Sequence, residues 1–107
     1  MTTLYLGTPD KQALLGARSF ENVMETSVGS TYALCKSDVR DLAKGDYVVV
    51  LRKDKNWSRA EGNLVKLEPT GIWTGNGLQR YNVHIEGLEP VPYDPGPRLK
   101  HTGVRVC

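Results

Sequence analysis

The chain has little of what most readily announces a function. Two cysteines among 107 residues, Cys35 inside an apolar run and Cys107 at the last position, are too few and too unevenly placed for a disulfide framework or a zinc site. A reducing, cytoplasmic setting is the simpler expectation. The two histidines, His84 and His101, stand far apart in sequence and make no metal pair. Long hydrophobic runs are missing too. The longest wholly apolar one is Tyr47 to Leu51, far short of a membrane span, and no basic N-terminal region leads into an apolar core of signal-peptide length. No membrane association is expected. Charge of one sign is equally scarce: 14 Lys and Arg against 12 Asp and Glu leave a net +2, too weak a field to argue for nucleic acid from the whole molecule.

Catalytic signatures are also wanting. Gly7-Thr-Pro-Asp10 lacks the Gly-Lys-Ser/Thr ending that gives a phosphate loop its cradle, charge and magnesium ligand. Ser19, Ser27, Ser30, Ser37 and Ser58 have no nucleophile-elbow glycines around them, and Asp38 and Asp41 read as helix-start residues rather than an acid/base pair. No enzymatic activity, metal or cofactor is expected.

What is present describes a small β-rich domain. A chain of this length fits one core and buries roughly two thirds of its extended surface. Thr2 to Leu6 reads as a first strand. Thr8-Pro9-Asp10 then offers a cap, a first-turn proline and an acid for the positive helix end, and apolar residues at Ala13, Leu14, Ala17, Phe20, Val23 and Met24 predict helix over about 9–25, in one piece or in two with a break near Gly16 and Ser19 recapping the second. Thr31 to Cys35 predicts a strand and Ser37 to Leu42 one capped helical turn. Tyr47 to Arg52 has no polar break until its end, as an interior strand does. Leu64 to Leu67, Tyr81 to Glu86 and Leu88 to Tyr93 continue the sheet, the last at an edge or irregular because Pro90 and Pro92 cannot donate ladder hydrogen bonds. Thr70 to Gln79, with Gly71, Gly75 and Gly77, predicts a flexible loop. The expected class is α+β: a bent, mostly antiparallel sheet or pseudo-barrel over 1–93, with one N-terminal helix and a short second helical turn. A basic tail opened by Pro95-Gly96-Pro97 follows over 94–107 and reads as a weakly ordered extension, with an added edge strand at Val104 and Val106 as the alternative.

A helical turn leading into Lys44-Gly-Asp-Tyr-Val-Val-Val50, then strands carrying Ala60-Glu-Gly-Asn-Leu-Val-Lys-Leu-Glu-Pro69 and Tyr81-Asn-Val-His-Ile-Glu86, resembles the PUA-like superfamily, which includes the ASCH and EVE domains. The resemblance covers roughly residues 1–93. It implies a small pseudo-barrel that binds RNA or a modified nucleobase through a groove beside the barrel.

Three places carry candidate chemistry. Arg52-Lys-Asp-Lys-Asn-Trp-Ser-Arg59 sets four cations and one acid around an indole, so Arg52, Lys53, Lys55 and Arg59 are candidate phosphate contacts and Trp57 a stacking platform. Against this, the segment also fits a solvated hairpin loop with Trp57 folded back onto the barrel. Trp73, in the glycine-flanked loop beside Ile72, fits a lid over a pocket, a plug for the core or a dimer contact. His84 shares a strand face with Asn82 and Glu86, a pattern that a polar solvent face already explains. The expected function is a non-enzymatic binding module for RNA or single-stranded nucleic acid, through the basic loop and a groove. The alternatives are a protein-interaction domain that homo-oligomerises, or a small-ligand sensor with a pocket between helix and sheet.

Overall fold

A computed structural model describes residues 2–8, 20–52, 58–94, 96–99 and 103–107. Their elements, in chain order, are β1 (Thr3–Thr8), α1 (Phe20–Thr26), β2 (Val28–Leu34), α2 (Lys36–Asp41), β3 (Tyr47–Arg52), β4 (Ser58–Trp73), β5 (Gln79–Val91) and β6 (Val104–Val106). Strands take up 59% of the described residues, so the sheet dominates and the helices are minor.

One six-stranded sheet runs in the order β2-β5-β4-β3-β1-β6. All neighbours are antiparallel except β1 and β3, whose parallel register sets Thr3 beside Tyr47 and Leu6 beside Val50. The sheet curls into a half-barrel. Edge strand β2 comes close enough to β1, the strand next to the other edge, for the Tyr32 hydroxyl to donate to the Gly7 carbonyl at 2.8 Å. Alternation decides what the concave side holds. Leu4, Leu6, Val48, Val50, Leu64 and Val83 point inward, and Phe20 and Val23 of α1 close over them.

β3 is covered on both faces, as its apolar run predicts. Val48 to Leu51 are all buried, and only Tyr47 at the strand's start is 47% exposed. On the convex side the C-terminal segment does the covering. Leu99 packs over Gly7, the β1 partner of Leu51, and Gly96 lies against the Tyr5 ring. The segment read from sequence as a basic tail thus returns to the sheet, where β6 pairs with β1 and Val104 is fully buried.

Several sequence boundaries shift. The described part of the predicted first helix is Phe20–Thr26, and residues 9–19 lie outside the described residues. The cap of α2 is Cys35 rather than Ser37; its side chain caps no backbone amide, and its Sγ lies 3.0 Å from Ser37 Oγ. Half of the predicted loop over 70–79 is strand: β4 continues to Trp73 and β5 begins at Gln79, leaving 74–78 as the turn. Gly71 reads from sequence as part of a loop, but an irregularity between Pro69 and Trp73 absorbs it without ending the pairing. Gly87, with φ +64, bends β5 instead of dividing it. Pro90 is tolerated because β2 pairs with β5 only as far as His84, leaving that flank of β5 free among the described residues.

Candidate functional site

The basic loop is not assembled into one patch by the residues that flank it. Arg52 pairs with Ser58 and Leu51 with Arg59 across β3 and β4, so the two arginines leave opposite faces of the sheet. Arg52 makes an ion pair with Glu21 of α1. The Arg59 Nε and Nη2 each lie 3.0 Å from Glu61 Oε2, and its Nη1 donates to the Asp94 carbonyl at 2.9 Å. Both guanidinium groups are therefore engaged within the fold, with side chains 15% and 12% exposed. Lys53, Lys55 and Trp57 lie outside the described residues.

Trp73 is placed differently from a plug in the core. It ends β4 with 60% of its surface exposed, beside Ile72 at 52%. The turn that follows is braced: Thr74 N donates to the Leu78 carbonyl at 2.8 Å, Leu78 N to Thr74 Oγ1 at 3.1 Å, and Gly77 N to the Thr74 carbonyl at 3.0 Å. Thr70 Oγ1 also donates to the Arg80 carbonyl at 2.9 Å, fastening the outer part of the hairpin. Gly77 supplies the positive φ, +80, that the turn requires. These bonds hold the indole at a fixed hairpin end rather than on a loose lid.

Cross-strand register then brings partners to it. Gln79 is opposite Trp73 on β4 and opposite Leu34 on β2, so these three side chains form one row. Tyr81, two positions on, shares their face. Together with Leu78 and with Lys36 at the start of α2, they line a cavity of about 90 Å³ where the concave side opens to solvent. That is far below the roughly 300 Å³ at which pockets for whole small molecules begin, and it suits a single ring or side chain. The aromatic walls offer stacking, the Gln79 amide offers both donor and acceptor, and the exposed Lys36 offers a cation. Of these residues, sequence reading singled out only Trp73. Gln79 and Tyr81 become visible only through strand register, and Lys36 only through the link from β2 into α2, which no local motif encodes.

His84 lies on the opposite, polar face. Its Nε2 is 3.0 Å from Glu68 Oε1, and the same oxygen accepts from Asn82 Nδ2 at 3.3 Å. The hydrogen bond with His84, then that from Asn82, holds the Glu68 carboxyl below its ordinary value. Asn82 Oδ1 in turn accepts from Thr31 N at 3.1 Å, supporting Thr31 at φ +55 in the irregular part of β2. The carboxylate beside His84 is thus Glu68 of the neighbouring strand, not Glu86. Among the described residues no three His, Cys, Asp or Glu side chains gather as a metal site, and no helix is long and apolar enough to cross a membrane.

No protein-family model matches the chain, and searches of curated proteins and of solved structures find no match either.

Proposed function

We propose that the protein is a non-enzymatic binding module for RNA or other single-stranded nucleic acid, and that the aromatic mouth of the half-barrel is where a base docks. One observation carries the reading. Trp73 is held largely exposed, and it shares a one-ring cavity with Tyr81, Gln79 and Lys36. Stacking, edge hydrogen bonding and phosphate contact are the three interactions a splayed base needs. The likeness to PUA-like domains supports the same ligand class. The interface is moved from the basic loop, whose described arginines are engaged, to the end of the β4–β5 hairpin.

Titration of tryptophan fluorescence with short RNA oligonucleotides tests it. Trp73→Ala should weaken binding by about 5- to 150-fold, the equivalent of about 1–3 kcal/mol for one stacked base. Lys36→Ala should lower the single-strand salt slope by about 0.7 if it neutralises one phosphate. Binding that ignores both salt and Trp73→Ala would exclude this site.

The adjacent exposed pair Ile72 and Trp73 favours a second reading, self-association through the hairpin end. Sedimentation at micromolar concentration separates the two. A dimer that Trp73→Ala converts to monomer supports the interaction domain, and a monomer that binds RNA supports the first reading.

A further inference from the structure

We propose that the convex face of the sheet carries a second, independent binding site, for an organic cation with an alkylated ammonium head. A cavity of about 280 Å³ opens there, lined by Thr3 and Tyr5 of β1, Tyr47 and Val49 of β3, and Arg59 and Glu61 of β4. Strand register builds it. Tyr5, Val49 and Glu61 form one row across the three strands, and Thr3 and Tyr47 form the next. Val49 is 3% exposed and gives an apolar floor, with Tyr5 directly across from it on β1 and Tyr47 two positions earlier on its own strand. Beside the cavity, the Asp94 carbonyl accepts from Arg59 and Gly96 lies near Tyr5.

The sign of the ligand's charge follows from which half of the ion pair the cavity meets. The Arg59 side chain is 12% exposed, with three of its nitrogens already directed at Glu61 and the Asp94 carbonyl. Glu61 is the open half at 34%, and only its Oε2 accepts from Arg59. Directly across from Glu61 on β5 stands another exposed acid, Glu89. Arg105, the β6 neighbour of Tyr5, has its Nη1 3.5 Å from the Arg98 carbonyl. With Arg59 held by Glu61 Oε2 and the Asp94 carbonyl, the lining presents tyrosine rings, hydroxyl oxygens and the Glu61 oxygen that Arg59 does not engage, over a hydrophobic floor. A bare ammonium is strongly hydrated and costly to strip; an alkylated one sheds water easily and is attracted to ring faces.

Calorimetric titration of the full chain with choline, with a trimethyllysine peptide, and with 3,3-dimethylbutan-1-ol tests the assignment. The last compound is choline's neutral carbon isostere. At least one cation should bind about two- to thirty-fold more tightly than the neutral compound, the range expected for cation–π attraction. Preference for choline points to a free metabolite, and preference for the peptide to a methylated protein tail. Tyr47→Ala should abolish the cation's advantage, Tyr47→Phe should keep it, and Glu61→Gln should reduce it. Tyr47 is partly exposed, so its variants should fold. Equal binding of the neutral isostere, no binding at millimolar concentration, or an unchanged Tyr47→Ala variant would overturn the proposal. RNA binding through Trp73 stands or falls separately, because Tyr47 lies on the other face of the sheet.

Discussion

An indole with 60% of its surface in water contributes little to folding, so its placement at a braced hairpin end is informative about binding. Trp73→Ala should shift stability by less than about 0.5 kcal/mol, the usual range for exposed positions. A much larger loss in a thermal melt would show instead that the ring anchors the hairpin. Glu68 supports a second prediction at this scale, because the bonds from His84 and Asn82 hold its carboxyl below the usual 4.5. A carboxylate whose folded pKa is depressed contributes stability that is complete above its unfolded value. That contribution is lost as pH falls through the folded value. Thermal melts carried below pH 4.5 should therefore show Glu68→Gln losing less stability than the wild type over the same interval. The group is exposed, so the expected difference is a small shift of midpoint; identical acid slopes would remove the role.

Elements were legible where one local pattern decided them. The unbroken run from Tyr47 predicted β3 and its two covered faces, and burial of Val48 to Leu51 agrees. Val48→Asp should unfold the domain by placing an unpaired charge in the core, as circular dichroism would report. The hairpin of β4 and β5 was less legible, since glycine and proline punctuate sequence in the same way whether they end a strand or bend one. Gly62 shows the difference. A Cβ at that position would lie 2.7 Å from Ile85 Cγ2 and 2.8 Å from the Glu86 carbonyl oxygen, so glycine there permits close approach of β4 and β5. Gly62→Ala should cost about 1–3 kcal/mol in a denaturant melt, as overpacking does. A neutral result would mean that the irregularity beside it can shift freely. The mouth was legible only as Trp73; Gln79 and Tyr81 join it through cross-strand pairing, and Lys36 through the link between β2 and α2.

At the scale of the whole molecule, the C-terminal strand is part of the half-barrel's core. Val104 is fully buried against β1, so Val104→Ala should lower stability by about 2 kcal/mol, the value of two buried methyl-sized groups. An unchanged melting midpoint would show β6 to be dispensable. The parallel pairing of β1 with β3 has a consequence in time rather than space. β3, β4 and β5 follow one another as antiparallel neighbours and can zip from local turns, whereas Thr3 must find Tyr47 and Tyr32 must find Tyr81 across long stretches of chain. Distant pairings close large loops before any contact rewards them, and they slow folding. The central meander should thus carry high φ-values, while β1, β2 and β6 dock after the rate-limiting barrier. Mutations in those three strands would then act chiefly by hastening unfolding.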